Sequence, residues 1–372
     1  MNLRVLPIPY LGYLYDLIYL HLDAEWPDLK MNSEPNASND SEETHWWKSK
    51  YITVPLRIGL SVALLLIVII SMDDIDWDEL PDWNSQTAIW TVGAFLFTIA
   101  GFVLGAVRWQ RVLIALDVHQ PLSRLFSHYM SGQFVSNFLP TTVGGDVVRV
   151  GRLTRDTDDG PISFTSVVFE RLSGWLVLPI ITFIGFAINP GLTGLGKSTK
   201  IPLIVGFITL LGLGLVILLL GNARIGEGLR NREGVLRFAN AIHLGIEKLR
   251  AHPKAAREVI LSAFAYQFML LLAAGCAVEA LAIDQVGLTA LMAFIPAVLI
   301  IQVLPLGIGG LGVREGTLVV LLSGINVPSE QALALGLAIY AMTLVGSMIG
   351  FPLLIFGGRK EPNGEDPSLT EI

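Results

Sequence analysis

Two glycine-rich stretches that each end in an arginine carry residue types suited to hold an anion. Residues 139–149 read LPTTVGGDVVR, and residues 304–314 read LPLGIGGLGVR. Proline ends a helix, and paired glycines let the backbone turn and approach a ligand closely. A helix that starts after such a turn presents free N–H groups, and arginine adds a two-pronged donor for phosphate or carboxylate. The two stretches therefore predict anion binding.

The two stretches are copies of one sequence in a constant register. Between residues 139 and 153, eight of the fifteen positions are identical to those between 304 and 318. The identical residues are Leu139, Pro140, Gly144, Gly145, Val148, Arg149, Gly151 and Leu153 in the first copy and Leu304, Pro305, Gly309, Gly310, Val313, Arg314, Gly316 and Leu318 in the second. We predict that the paired glycines and the arginine form an equivalent site in each copy.

Further polar residues near the two copies extend the predicted site. Asp146 could orient Arg149 or carry a proton, and Glu170 could neutralise an arginine of the motif or form a purely structural ion pair. The full predicted site is Asn137, Pro140, Gly144, Gly145, Asp146, Arg149, Glu170, Arg171, Pro305, Gly309, Gly310, Arg314 and Glu315. Two alternatives stay open, because glycines also let helices pack closely and Arg149 could simply anchor a helix end.

The composition places both copies in a membrane protein. Of the 372 residues, 52% are hydrophobic and 15% are charged, and the mean hydropathy is +0.60. Soluble domains carry about 25% charged residues, and a larger core would not explain this shortfall. A helix needs about 20 apolar residues to cross a bilayer. We predict six such spans, at residues 52–72, 87–107, 162–188, 201–221, 258–282 and 332–356.

Arginine and lysine residues set the predicted topology. Loops 108–124 and 222–257 are basic, so we place them in the cytoplasm together with both termini, in a chain embedded in the cytoplasmic (inner) membrane. The predicted domains are a cytoplasmic segment at 1–50, partly disordered or interfacial, a membrane domain at 51–356 and a cytoplasmic tail at 357–372.

Two apolar segments, 120–150 and 288–325, contain the glycine-rich copies, and the loops that flank each segment are assigned to a single face. Each segment has a central break of proline and glycine. We therefore predict two re-entrant helical hairpins. Residues 51–188 and 201–356 then both follow the order span, span, hairpin, span, but from opposite faces of the membrane. The predicted fold is all-α with an inverted-topology repeat, an architecture found in many secondary transporters.

The sequence excludes several classes of protein. The single cysteine, Cys276, rules out an internal disulfide and a thiolate metal cluster. The motifs of P-loop ATPases, serine hydrolases and zinc proteases are missing, and no loop is large enough to hold a catalytic domain. We therefore expect no enzyme activity, cofactor or metal. The net charge of −7 gives no sign of nucleic-acid binding.

The stretch GQFVSNFLPTTVGGDVVRVGRL, together with LPLGIGGLGVREGTLVVLL, resembles the transmembrane domain of the lysylphosphatidylglycerol synthase family, also described as flippase-like. The residues that carry the resemblance are Asn137, Leu139, Pro140, Gly144, Gly145, Asp146 and Arg149, and then Pro305, Gly307, Gly309, Gly310, Gly312, Arg314 and Glu315. The resemblance covers residues 50–356. Similar domains occur alone, fused to a cytosolic aminoacyltransferase, or attached to archaeal glycosyltransferases.

The resemblance implies a protein that moves a lipid with a charged or phosphate head group, a phospholipid or a polyprenyl-linked lipid, between leaflets. Since no aminoacyltransferase domain is recognisable, lysyl transfer is not expected of this chain. One alternative is a membrane subunit without transport activity that presents lipid carriers to a separate glycosyltransferase or aminoacyltransferase. Another is an enzyme that acts on a lipid phosphate through Asp146 or Glu170. In the leading interpretation, the charged residues of both copies meet between the two hairpins.

Overall fold

The computed structural model describes residues 83–138, 144–220, 236–303 and 310–357, together with five helical positions between 63 and 70. Within these ranges the regular secondary structure is entirely helical. The helices are α1 (Ser85–Ala115), α2 (Leu122–Phe138), α3 (Gly144–Thr157), α4 (Gly160–Ile188), α5 (Lys197–Leu220), α6 (Leu236–Ala251), α7 (Pro253–Ala280), α8 (Leu288–Ile301), α9 (Val313–Leu322), α10 (Ser329–Ser347) and α11 (Gly350–Phe356), with short 3₁₀ turns at Pro190–Leu192 and Ser323–Ile325.

Five stretches of helix in the described ranges are long and apolar enough to cross a membrane. They are α1, α4, α5, α7 and the consecutive pair α10 and α11. These stretches coincide with five of the six predicted spans, and the chain is therefore a multi-pass membrane protein. Most of the span predicted at 52–72 lies outside the described residues. The segment predicted at 1–50 and, except for Gly357, the tail predicted at 357–372 also lie outside them.

Both segments that are predicted to break each contain two helices and not one. Segment 120–150 folds as α2 and α3, which pack against each other, and segment 288–325 folds as α8 and α9, which also pack together. Gly310 and Gly312 adopt φ angles of 79° and 84°, which residues with a side chain rarely do, so these glycines permit the turn into α9. How the two pairs of helices enter the bilayer stays a prediction.

The predicted bounds of two basic loops are wrong, because helices extend into both of them. Loop 222–257 contains α6, whose apolar residues Ile242, Ile246 and Leu249 follow helical spacing and pack against a core cluster that includes Phe169. Loop 108–124 was expected to start at Arg108, but α1 continues to Ala115. In both cases the segment contains charged residues that are typical of a loop, although these residues belong to a helix.

The contacts between helices keep the same pattern when the two halves of the chain are exchanged. The counterparts in sequence order are α1 with α7, α2 with α8, α3 with α9, and α4 with α10. Helix α1 packs along its own counterpart α7, while α4 packs on α8 just as α10 packs on α2. Within each half, α3 contacts α4 and α9 contacts α10. This arrangement brings α2 into contact with α10 and α11 of the second half.

Helix α4 carries Glu170 and owes its start to local sequence signals. Asp159 caps the helix by accepting a hydrogen bond of 2.9 Å from the N–H of Ile162, and Pro161 occupies the first turn, where a missing N–H does no harm. The helix then runs for 29 residues to Ile188 and contacts α1, α3, α7 and α8. It therefore forms the central wall against which the motif helix α3 rests.

Candidate functional site

A cavity of about 270 Å³ lies among α1, α2, α3, α4 and α7 and reaches the end of α8. Its polar and aromatic lining includes Tyr129, Gln133, Ser136, Trp175, Tyr266, Gln267 and Gln302. The charged residues of the lining are Arg108, Asp146, Arg149, Glu170 and Arg171. Five members of the predicted site, namely Gly145, Asp146, Arg149, Glu170 and Arg171, therefore meet at one cavity.

Two glycines allow α2 and α3 to approach closely enough to form this cavity wall. A side chain at position 145 would collide with the carbonyl oxygen of Gly132 and the hydroxyl of Ser136. A side chain at position 132 would lie 2.8 Å from the carbonyl oxygen of Gly145 and from the Cγ of Arg149. Gly145 of the motif and Gly132 of α2 therefore serve helix packing, and this packing places Arg149 in the wall.

Glu170 joins two arginines that come from different helices. One carboxylate oxygen accepts a hydrogen bond from the Nη2 of Arg108, and the other accepts one of 3.0 Å from the Nη1 of Arg149. Glu170 is only 2% exposed, and each arginine is 6% exposed. Buried charges of this kind are stable only when they are paired. The carboxylate thus holds two buried guanidinium groups in place.

Both arginines keep donors that Glu170 does not use. The Nε and Nη1 of Arg108 and the Nε and Nη2 of Arg149 have no hydrogen-bond partner among the residues that the structure describes. Nearly all buried donors in proteins are satisfied by protein, water or ligand, and leaving one unsatisfied costs about 1–3 kcal/mol. These four nitrogens therefore mark a place for a hydrogen-bond acceptor that carries negative charge.

Aromatic rings hold the two guanidinium groups in position. The guanidinium of Arg149 lies 4.3 Å from the centre of the Trp109 ring and 4.9 Å from that of Tyr129. The guanidinium of Arg108 lies 4.4 Å from the centre of the Tyr266 ring. Such cation–π contacts stabilise a buried cation without using its N–H donors. The rings therefore fix both arginines while leaving their free nitrogens available.

Asp146 and Arg171 form the outer part of the charged cluster. Asp146 pairs with Arg171, and its other carboxylate oxygen lies 3.7 Å from the Nη1 of Arg149. The side chain of Asp146 is 16% exposed and that of Arg171 is 39% exposed, so this pair lies nearer the surface than Glu170 does. Asp146 thus contacts both arginines, as its predicted role in orienting Arg149 requires.

Comparison with known protein families supports the assignment made from the motif. Residues 56–350 match the family described as lysylphosphatidylglycerol synthase TM region. The chain belongs to this family. Comparison with curated proteins and with solved structures found no significant match. The match confirms the predicted resemblance, and it makes the chain a multi-pass membrane protein of a lipid-related family.

The second copy of the family motif is arranged differently from the first. The Nη2 and Nε of Arg314 donate hydrogen bonds of 2.8 Å and 3.1 Å to the same carboxylate oxygen of Glu315, whose other oxygen accepts one of 2.6 Å from the N–H of Gly312. The guanidinium of Arg314 lies 4.8 Å from the centre of the Tyr340 ring. Neither Arg314 nor Glu315 is part of the cavity lining described above.

The remaining predicted residues lie near the two breaks. Asn137 is close to the end of α2, and Gly144 is the first residue of α3. Gly310 packs against Gln302, since a Cβ at position 310 would lie 2.9 Å from the Cβ of Gln302. Through Gln302 the second copy reaches the cavity. The predicted residues Pro140, Pro305 and Gly309 lie outside the described residues.

Sequence reasoning missed several residues of the cavity. Arg108 was interpreted only as a marker of a cytoplasmic loop, and Tyr129 and Tyr266 were not singled out. One signal for Arg108 was present, because the buried acid Glu170 needs a cation and Arg108 follows directly after a long apolar run. No comparable signal identifies the two tyrosines, because tyrosine is common in membrane helices for other reasons.

Proposed function

We propose that this protein binds the head group of an anionic lipid in the cavity and carries the lipid between the two leaflets of the membrane. The observation that carries the proposal is the pair of buried arginines, Arg108 and Arg149, which line the cavity and have four nitrogens without a hydrogen-bond partner among the described residues. Arginine forms paired hydrogen bonds with phosphate oxygens, and these bonds are strongest in surroundings that exclude water.

A lipid is favoured over a soluble anion because of where the cavity lies. Three of the helices that line it, α1, α4 and α7, are long enough to cross a bilayer, and α4 contributes more lining residues than any other helix. The volume of about 270 Å³ is below the range of roughly 300–1,000 Å³ that encloses a drug-sized molecule. It suits a head group whose acyl chains remain in the bilayer. The membership of the chain in a lipid-related family supports the same choice.

Movement between leaflets is supported by the repeated construction of the chain. The contacts among α1, α2, α3, α4 and their four counterparts keep the same pattern when the halves are exchanged, and the predicted topology places the two halves in opposite orientations. Inverted repeats in transporters bind substrate where the halves meet, and rocking of one half against the other opens the site to each side in turn. The cavity lies at such a meeting of halves, since α7 and α8 complete its lining.

The experiment is transfer of a fluorescently labelled anionic phospholipid in vesicles that contain the purified protein. Replacing Arg149 with glutamine, or Arg108 with glutamine, should lower the transfer rate at least about tenfold, because a hydrogen bond to a charged group contributes about 1.5–3 kcal/mol. Arg111→Gln is the matched control. Arg111 lies one helical turn from Arg108, but its side chain is 42% exposed and pairs with the exposed Glu258.

The outcomes separate the proposal from its alternative. Unchanged transfer in both cavity variants would contradict the site. Binding of lipid by the unmodified protein without any transfer would instead favour a subunit that presents lipid carriers to a separate glycosyltransferase or aminoacyltransferase.

A further inference from the structure

The charged side chains that line the cavity sum to one positive charge. Three arginines face two carboxylates: Arg108, Arg149 and Arg171 against Asp146 and Glu170. Segments 139–143 and 304–309, which join α2 to α3 and α8 to α9, contain no charged residue. The charge count therefore includes every ionised side chain of the described cavity lining and of the two connecting segments.

The excess charge is shared by three arginines, two of which are buried. Glu170 is shared between Arg108 and Arg149, and Asp146 pairs with Arg171 and also lies 3.7 Å from the Nη1 of Arg149. Two carboxylates therefore serve three guanidinium groups, so one positive charge of the cluster lacks a counter-charge among the described residues of the cavity lining. In surroundings of low dielectric constant such a charge strongly favours one added anion and strongly disfavours an added cation.

We infer that the lipid accepted by this cavity carries a singly charged phosphodiester and no ammonium group, so that aminoacylated head groups are rejected. The inference rests on the proposed function and names its substrate class. It differs from what the family description suggests, because a lysyl ester would add ammonium groups next to Arg108 and Arg149.

The two buried arginines offer enough unused donors for both oxygens of a phosphodiester. Its two non-bridging oxygens share one negative charge, and each can accept hydrogen bonds from a different arginine. The aromatic rings next to Arg108 and Arg149, which could otherwise recognise an ammonium group, are already occupied. The rings of Trp109, Tyr129 and Tyr266 all stack on the protein's own guanidinium groups. A doubly charged phosphate monoester would leave one negative charge in excess after binding.

The test is direct binding of four dioleoyl lipids to the full-length protein in detergent micelles at pH 8, measured by native mass spectrometry. The lipids are phosphatidylglycerol, its lysyl ester, phosphatidylcholine and phosphatidic acid. Phosphatidylglycerol should bind at least about tenfold more tightly than the lysyl ester and phosphatidylcholine. It should also bind more tightly than phosphatidic acid, whose monoester phosphate is mostly doubly charged above a second pKa of about 6.

Charge variants then test the cause of this selectivity. Glu170→Gln raises the charge of the cavity by one and should shift preference towards phosphatidic acid by at least about tenfold. Asp146→Asn makes the same change in charge at a more exposed position, and it keeps the test valid if the buried Glu170 variant fails to fold. Glu258→Gln is the matched control, because it removes a carboxylate that is 49% exposed and outside the cavity lining.

The outcomes distinguish failure of the charge selectivity from failure of the proposed lipid binding. Equal binding of all four lipids would overturn the charge-based selectivity, while lipid binding itself would stand. Tighter binding of the lysyl ester than of phosphatidylglycerol would overturn it as well. A shift towards phosphatidic acid that occurs equally in the Glu258 control would show that overall charge, and not the cavity, sets the preference. Binding of none of the four lipids would overturn both the inference and the proposed function.

Discussion

The carboxylate of Glu170 lies 3.0 Å from the guanidinium of Arg149, and the two side chains are only 2% and 6% exposed. They belong to consecutive helices, α4 and α3, so the ion pair joins the motif helix to the central wall of the cavity. Each residue supplies a counter-charge that the other needs, because an unpaired charge at this depth would be strongly unfavourable.

Glu170→Gln should lower the stability of the folded protein. The change keeps the shape of the side chain but leaves Arg108 and Arg149 without their shared counter-charge, and loss of one partner of a buried ion pair costs about 3–5 kcal/mol. Thermal unfolding of the purified protein in detergent measures the effect. Glu258→Gln, which breaks an exposed pair, should cost at most about 1 kcal/mol. Equal effects of the two variants would contradict a structural role for the buried pair.

Gly145→Ala should separate α2 from α3. The added methyl group would collide with the carbonyl oxygen of Gly132, and overpacking of this kind costs about 1–3 kcal/mol. Lipid transfer should fall as well, because Arg149 moves with α3. The matched control is Gly212→Ala on α5, where a new Cβ would meet nothing within 4 Å. That variant should unfold at the same temperature as the unmodified protein or slightly above it.

Tyr266→Leu should weaken binding of an anionic lipid through its effect on Arg108. The tyrosine ring lies 4.4 Å from the guanidinium, and loss of a buried cation–π contact of about 2 kcal/mol corresponds to an affinity change of about 30-fold. Tyr266→Phe keeps the ring and should retain most of the affinity. If both variants bound the lipid as the unmodified protein does, the ring would have no part in holding Arg108. The affinities can be compared by native mass spectrometry.

Joint replacement of Arg314 and Glu315 by glutamine tests the second copy of the motif. The double variant removes both members of a buried pair, which is far less harmful to folding than removing one. We expect transfer between leaflets to fall at least about tenfold. In the proposed mechanism the site opens to each side in turn, and the second copy would act when the site opens to the side opposite to that of the first copy. Binding at the cavity should change less than about twofold, since neither residue lines it. Normal transfer by the double variant would exclude the second copy from the transport path.

Much of the fold could be predicted because membrane helices leave a continuous apolar signal. The runs at 162–188 and 201–221 lie within two residues of α4 and within four residues of α5 at each end. The breaks inside 120–150 and 288–325 could be predicted because proline and paired glycines interrupt helices in any context. Helix α6 was missed because its many charges resemble those of a loop when they are counted without regard to spacing.

The site could be predicted only as far as the motif extends. Gly145, Asp146 and Arg149 lie in one short stretch, so their proximity follows from the sequence alone. The pairing of Arg108 with Glu170 joins residues 62 positions apart on helices that meet only through tertiary packing. Nor could the sequence tell that Arg314 would pair with its neighbour Glu315, since two adjacent residues of a helix ordinarily point in different directions.

Arg149 and Arg314 differ in whether their acidic partner lies on the same helix or on another one. Arg314 and Glu315 are neighbours on α9, so a rigid movement of this helix would not separate their charges. Arg149 depends on an acid of a different helix, so any sliding or tilting of α3 against α4 changes the distance between the two charges. A movement of α3 against α4 would therefore change the electrostatic potential at the cavity, whereas a movement of α9 would leave Arg314 paired with its own acid.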